Sequence, residues 1–515
     1  MAFTVLLVGI LFVVLTITVL KIHPFLALIL AAFLVGLLSP VPLGLKEEVE
    51  FETARLDFRL ENGEITANEY QQLKGTTRER VRERLEARPR KPGAGAVQAL
   101  ELTTREFGST AASIGLVIVL AAIIGQCLLE SGAADKITRR LLAFLGEKRA
   151  TLALLSSGYF LSIPVFFDTV FFLLIPLARA LRLRTGKNFL LYVLAVCAGG
   201  VITHSLVPPT PGPLLMVENL SAQGLTLGSA IGFGFLLGLF PAAVGLWFAR
   251  TLNRRMDISP GPALGVDDQQ LQEILHKPES RLPGFLPSVL PVLLPVLLIS
   301  GNTVLETLVE GTVFPVPDWI LATAAFLGNK NMALLIGTGF AAALLIRHQQ
   351  LSLRAFSEKL EPAMLSAGVI ILITAAGGAF GKMLARSGIS DALQGWMGDG
   401  QYAAAGYILL AWILAAIMKI AQGSGTVAMI TASGMMAAIL GSEPVLPCHP
   451  VYLFAAIGFG GLLISWMNDS GFWVVGKMSG FTEKETLKTW TPLLALMGIA
   501  GLVEVLVLSF LFPMR

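Results

Sequence analysis

The sequence predicts an all-α polytopic membrane protein built from two inverted five-helix repeats, each with a re-entrant hairpin and a broken helix. Three observations carry that prediction. The 515 residues are 54% hydrophobic and 14% charged, with a mean hydropathy of +0.73, whereas soluble domains average about 25% charged residues. Apolar runs long enough to cross a bilayer recur along the chain. The second half repeats the landmarks of the first in the same order.

Composition also excludes several classes. A net charge of +3 is too small to point to a nucleic-acid partner. Cys127, Cys197 and Cys448 lie far apart in apolar stretches, as small core residues do, so neither a disulfide framework nor a metal site is expected. There is no His-Glu-x-x-His, P-loop or dinucleotide fingerprint. That argues against metal hydrolysis and ATP-driven pumping, and no cofactor is expected.

Residues 1–44 hold two N-terminal spans, at 2–20 and 24–38. The first lacks a basic n-region and a cleavage site, so it reads as a retained helix. Residues 45–107 are dense in both signs of charge, with Arg78-Glu-Arg-Val-Arg-Glu-Arg-Leu-Glu86 at the centre. They read as an extramembrane insertion, a partly helical, solvated decoration. The first repeat core, 108–249, has apolar runs at 113–130, 150–162, 165–181, 189–206 and 226–249. A charged cytoplasmic connector, 250–284, follows. The second repeat, 285–515, has runs at 285–300, 331–346, 363–384, 403–421, 426–441, 450–465 and 490–512. Two pairs of runs adjoin without a usable loop and read as hairpins, 150–181 and 403–441, with their turns buried in protein. Five spans then remain in each half.

The repeat itself is visible in pairs. Ser131-Gly132 matches Ser387-Gly388, and Gly199-Gly200 before His204 matches Gly460-Gly461 before Ser465. The hairpin breakers Pro164 and Gly423-Ser-Gly425 fall at corresponding points. An odd number of spans per copy inverts one copy relative to the other. Inverted repeats with paired broken segments are a mark of secondary transporters, whose site lies at the repeat interface. Basic residues such as Arg139, Arg140, Arg182, Arg184, Arg254, Arg255, Arg347 and Lys484 fall on one side of this topology, the cytoplasm. Both termini and the insertion then lie outside.

The candidate site residues cluster at the breaks. Ser162-Ile-Pro-Val-Phe-Phe-Asp-Thr169 places Asp168 and Thr169 at the tip of the first hairpin. A carboxylate at membrane depth costs roughly 2.5–3.5 kcal/mol on insertion scales, so Asp168 is a candidate proton carrier; a structural ion pair or a helix cap is the plainer reading. Lys419 approaches the second hairpin, where Gln422, Ser424 and Thr426 offer polar partners and the glycines free backbone N–H groups. A lysine among so many apolar residues needs a counter-ion, a carbonyl cluster or an anionic ligand, or it could snorkel to an interface. Together these groups suit a polyhydroxy carboxylate, with the lysine as fixed positive end and the helix starts attracting the anion. His204, Thr210 and Gly212 lie in a proline-rich break and match Asn468, Asp469, Ser470 and Gly471 of the second copy. His204 could equally be a satisfied core histidine, and Asp469 a cap for the half-helix that follows.

These motifs resemble the gluconate permease family of proton symporters, within the wider ion-transporter superfamily of elevator-type carriers. The marks are the Phe166-Phe-Asp168 hairpin, Thr203-His-Ser-Leu-Val-Pro-Pro-Thr-Pro-Gly-Pro213, Gly423-Ser-Gly-Thr-Val-Ala-Met-Ile-Thr431 and Asn468-Asp-Ser-Gly-Phe-Trp473. The resemblance covers nearly the whole chain outside 45–107. It implies import of gluconate, a related sugar acid or a small hydroxy carboxylate by proton symport, in the cell inner (plasma) membrane, and by analogy a homodimer. Relatives also carry D-serine and other small amino or hydroxy acids. The chain departs from the family at Thr210, where many relatives have His, and at Thr169-Val-Phe171. Sodium is the alternative coupling ion, with oxygens of Gln422, Ser424, Asn468 and Ser470 as ligands. An intramembrane aspartyl enzyme using Asp168 and Asp469 is the competing class, disfavoured by the repeat and by the lack of a Gly-x-Gly-Asp motif. A channel is disfavoured by two occluding hairpins.

Overall fold

The computed structural model describes residues 2–39, 45–62, 64–87, 94–146, 149–163, 165–256, 258, 281–311, 316–387, 401–441 and 446–513. Every regular element among them is helical. In chain order these are α1 (Ala2–Thr18), α2 (Pro24–Leu38), α3 (Leu45–Glu61), α4 (Ala67–Ala87), α5 (Ala94–Ser131), α6 (Ala133–Leu145) and α7 (Ala150–Leu161). Next come α8 (Phe167–Thr185), α9 (Phe189–Leu206), α10 (Pro211–Leu220), α11 (Leu227–Leu237), α12 (Leu239–Arg255), α13 (Phe285–Gly311) and α14 (Asp318–Gly328). The last are α15 (Lys330–Gln349), α16 (Leu353–Arg386), α17 (Gln401–Gln422), α18 (Gly425–Leu440), α19 (Val451–Gly460), α20 (Ser470–Ser479) and α21 (Glu483–Leu511).

Among the described residues, eight stretches are long and apolar enough to cross a membrane: Gly95–Ser131, Phe189–Gln223, Leu227–Arg255, Phe285–Glu306, Lys330–Gln349, Leu353–Arg386, Ala404–Gln422 and Glu483–Leu511. The protein is therefore a multi-pass membrane protein. The stretches differ in places from the expected spans. Ala404–Gln422, expected as half of a hairpin, is itself of spanning length, while α1, α2 and α19 are shorter apolar helices. Helix α5 runs unbroken through residue 107, the expected end of the insertion. No proline interrupts 94–131, so the backbone continues as a helix from the charged stretch into the apolar one. Each segment expected as a hairpin contains two helices with a short break, 162–166 between α7 and α8 and 423–424 between α17 and α18. Pro164, Gly388 and most of the connector (257 and 259–280) lie outside the described residues.

The chain forms two compact units. The first comprises the described parts of Met1–Thr110, Ala375–Gly398 and Gly434–Gly441; the second comprises those of Ala111–Thr374, Asp399–Ser433 and Ser442–Arg515. In the first unit, α3 and α4 pair around Leu56, Ile65 and Tyr70, with Leu60 and Leu73 packed against them. A capping box between Thr66 and Glu69 starts α4, satisfying amides that the first turn leaves without partners. Arg84 meets Glu52 across the pair at 2.9 Å. The charged insertion is thus a helical hairpin with a small core of its own. In the same unit α1 packs against Phe380 and α2 against Met383 and Ala99, and Arg386 is paired with Glu106, both nearly buried.

In the second unit, α9 is apolar almost all round, and every residue in it but His204 is buried. A helix without a polar face belongs inside a larger structure, and α7, α8 and α12 enclose this one. Its contact with α7 needs glycine: a Cβ on Gly199 would collide with the Leu155 carbonyl and the Tyr159 amide. Tyr159 then closes the group by donating its hydroxyl to the Phe235 carbonyl of α11. Helix α21 lies against α12 and α19, with Met497 filling the space over Gly245 and Phe459 that over Gly501. Two ion pairs tie the periphery, Lys359–Glu130 at 2.6 Å and Lys330–Glu218 at 3.0 Å.

A side chain at Gly199 has no free space to enter. Gly199→Val should destabilise the protein by about 1–3 kcal/mol, the usual size of an overpacking penalty, seen as a lower melting temperature in detergent. An unchanged melting curve would show that α7 and α9 are not in backbone contact.

Candidate functional site

Within the second unit, a cavity of about 390 Å³ is walled by both halves of the sequence. The first half supplies Phe166, Phe167, Asp168 and Thr169 from the start of α8, and His204 and Ser205 from the end of α9. The second half supplies Thr374 of α16, Lys419 of α17, Ser424 to Thr426 at the start of α18, Asp469 to Gly471 at the start of α20, and Trp490 of α21. Small-molecule sites are commonly cavities of roughly this size.

The local sequence explains why these groups converge. The α9 helix ends at Leu206 because two prolines follow, and Thr210 seals the break by donating to the carbonyls of His204 at 2.9 Å and Val207 at 3.0 Å. The break between α17 and α18 turns on Gly423, whose φ is +83°, a conformation open to glycine and unfavourable for other residues. A side chain there would also strike the Asn468 carbonyl. Asn468 in turn donates its amide to the carbonyls of Ile420 at 2.9 Å and Ala421 at 3.3 Å, capping the end of α17. The break after α17 and the segment before α20 are therefore laced together.

At their junction sits a buried ion pair. Lys419 Nζ lies 2.6 Å from Asp469 Oδ2, with side chains 4% and 9% exposed. Lys419 also donates to the Gly423 carbonyl. Asp469 accepts from the Ser465 hydroxyl at the same oxygen and from the Gly471 amide, at 3.1 Å, at the other. The second bond makes Asp469 the N-cap of α20. Trp490 completes the network by donating its indole N–H to Ser465 Oγ at 2.6 Å, while its ring stacks on Phe167 at 5.5 Å between centroids. Of the partners the sequence leaves open to Lys419, a counter-ion, a carbonyl cluster or an anionic ligand, the structure shows the counter-ion Asp469 and the Gly423 carbonyl. Positive potential in the cavity must come from elsewhere. The N-terminal residues of α8, α18 and α20 all line the wall; the Val427 and Gly471 amides are already taken by Ser424 and Asp469, and what the three starts still offer is the positive end of the helix dipole.

Of the residues singled out from the sequence, Asp168, Thr169, His204, Lys419, Ser424, Thr426, Asp469 and Ser470 line this cavity. Asp168 has no salt-bridge partner among the described residues, and His204 Nδ1 is buried with no hydrogen-bond partner there. The other four stand outside the wall. Thr210 and Asn468 hold the breaks, and Gly212 lets α10 approach Met429 and Thr426 of α18. Gln422 is buried beside the break with neither amide atom bonded among the described residues. Sequence reasoning missed Ser205, Thr374, Ser465 and Trp490. A serine or threonine in an apolar helix carries little signal, and a tryptophan there reads as packing. The pairing of Ser465 with His204 in the two copies was the one available hint for that residue.

Removing one member of the ion pair should do more harm than removing both. Lys419→Met leaves a buried charge on Asp469 without its partner and is expected to cost about 3–5 kcal/mol, the range for breaking a buried pair. The double variant Lys419→Met with Asp469→Leu should recover part of that loss. Thermal melts of the purified proteins in detergent check the order; a single variant as stable as the parent would show that the pair does not hold the site.

The comparisons with known proteins agree with this architecture. Residues 92–511 match the family described as GntP family permease. The chain is 31% identical over 410 residues to a gluconate permease of Pseudomonas aeruginosa, covering 78% of this chain and 86% of that one. It is 31% identical over 399 residues to the low-affinity gluconate transporter of Escherichia coli K12, covering 77% and 85%. Among solved structures it shares a fold with the Alcanivorax borkumensis YdaH transporter, whose crystal structure is described as revealing an unusual topology: the TM-score is 0.57 at 16% identity, over 81% of this chain and 90% of that one. Permeases move solutes and do not transform them, and on this evidence the chain belongs to the GntP family of permeases.

Proposed function

We propose that this permease imports gluconate or a closely related sugar acid by proton symport, with the substrate held in the cavity between the two broken segments and the proton on Asp168. One observation carries the reading: the cavity pairs three helix N-termini with a carboxylate, Asp168, that has no ion-pair partner among the described residues. The N-termini suit the carboxylate of an anion, and Ser424, Thr426, Ser470 and Thr374 offer hydroxyls to the polyol chain. Charge supplies the coupling. With Lys419 and Asp469 offsetting each other, Asp168 leaves the site with one negative charge. A second anion in the same low-dielectric space is repelled unless a proton neutralises one of the two. Symport of one proton with one monoanion is then electroneutral.

The finer architecture belongs to the same reading: two inverted five-span repeats, an elevator motion of the site, a homodimer, and residence in the inner membrane with the basic loops in the cytoplasm. The meeting of residues from both sequence halves around one cavity supports it. Sodium coupling is favoured by one observation, the buried Gln422 amide without a hydrogen-bond partner, whose oxygen is a suitable ligand for a hard cation.

Uptake of radiolabelled gluconate into proteoliposomes tests the proposal. For one proton per substrate, each unit of imposed pH gradient should support about tenfold accumulation, and an imposed membrane potential should add nothing. Asp168→Asn should abolish pH-driven accumulation while still exchanging labelled for unlabelled substrate. Full pH-driven accumulation by Asp168→Asn would remove Asp168 as the proton carrier, and accumulation driven by a sodium gradient would replace the proton with sodium.

A further inference from the structure

One carboxylate deep in an apolar stretch of a spanning helix stands apart from the cavity and from every ion pair described above. Glu504 lies in α21, and between Thr489 and Pro513 it is the one residue of formal charge. Its Oε2 is buried and meets no hydrogen-bond partner among the described residues. The polar groups around this stretch of α21 have other partners. The Tyr159 hydroxyl donates to the Phe235 carbonyl. The Trp412 indole donates to the Gly498 carbonyl at 3.2 Å, and the Tyr452 hydroxyl to the carbonyls of Leu508 and Phe512.

The elements packed against α21 bring no counter-ion. Helix α11 carries no titratable side chain; α9 offers Tyr192, Cys197 and His204; α19 offers Tyr452; and the α17 sequence holds Tyr402, Tyr407 and Lys419, the last held by Asp469. Helix α12 has Arg250, Arg254 and Arg255 in its last turns, and α20 has Lys477, which lies over the Trp473 ring. No ion pair joins any of these cations to Glu504 among the described residues. Glu504 is half-buried, with Oε2 enclosed; an ionised carboxylate in the apolar part of a spanning helix, with no counter-ion among the described residues, is costlier than the neutral acid.

We propose that Glu504 is a proton-binding site separate from the transport cavity, carrying a proton while α21 is packed as described and releasing it when its surroundings open to water. The same helix sends Trp490 and Leu494 into the cavity wall. Glu504 lies ten residues beyond Leu494, about 15 Å along the axis at 1.5 Å per residue. A charge appearing on Glu504 would therefore bias the packing of a helix that also shapes the cavity, making uptake fall as the medium becomes alkaline. This last consequence rests on the transport reading above; the proton on Glu504 does not.

Infrared spectroscopy of the whole protein in lipid at neutral pH tests the proton directly. The carboxylic-acid C=O band should contain a component that is absent from Glu504→Gln, and also from Glu504→Met, which keeps an apolar side chain of similar length should the amide variant fold poorly. Identical spectra for parent and variants in that region would overturn the proposal. Initial rates of radiolabelled gluconate uptake across a pH series test the consequence: the coupling proton on Asp168 already gives some alkaline decline, and Glu504→Gln, fixed in an uncharged form, should show a shallower decline than the parent. Superimposable profiles would overturn the control of transport by Glu504. A parent protein that takes up no gluconate under any gradient would instead refute the transport reading, with the infrared result still deciding whether Glu504 holds a proton.

Discussion

The Lys419–Asp469 pair sits where four pieces of the chain meet: the end of α17, the Gly423 break, the segment before α20, and Trp490 of α21 through Ser465. Two charges withdrawn from water are stable together only when their remaining valences are filled. Here they are. The ammonium also bonds the Gly423 carbonyl, and the carboxylate accepts from Ser465 and from the Gly471 amide. Each bond links a different piece of chain, so the pair acts as a clamp on backbone that has left helical geometry. Breaks of this kind are tolerated inside a membrane protein because other protein groups satisfy the freed backbone atoms. Thr210 and Asn468 do the same for the carbonyls at the two breaks.

The clamp has a consequence for the electrostatics of the cavity. Because Lys419 is already matched, it cannot also serve as a free counter-ion for an incoming acid without loosening Asp469. The fields left over are those of the α8, α18 and α20 N-termini and of Asp168. Backbone dipoles attract an anion without adding a mobile charge, and the carboxylate repels one unless protonated. Attraction that depends on a proton is what a symporter requires of its site. Packing keeps these groups in register: α9, closed in by α7 through Gly199, sets His204 and Ser205 against the start of α8.

Much of the fold was legible in the sequence. The apolar runs announced a multi-pass helical protein, and Pro208, Pro209 and Gly423 announced where helices stop, because proline and glycine act on the backbone locally. Asp168, His204 and Asp469 stood out because charged or polar side chains are rare in apolar runs. Span lengths were less legible. The end of α5 that precedes residue 107 is charged, and Ala404–Gln422 contains one lysine, so hydropathy misjudged how far each helix extends. Glu504 was passed over as one polar residue in a long terminal helix.

What the sequence by itself determined, then, is the inventory: helical segments, the places where they break, the family, and the few ionisable residues set among apolar ones. Tertiary structure alone decided how those residues are shared out. Lys419 and Asp469 are 50 positions apart in sequence, and nothing local says that they meet, that Thr210 and Asn468 tie off breaks, or that Asp168 is left without an ion-pair partner. The physical reason is that the effect of a charge at membrane depth depends on what surrounds it within a few ångströms, and those neighbours come from distant parts of the chain.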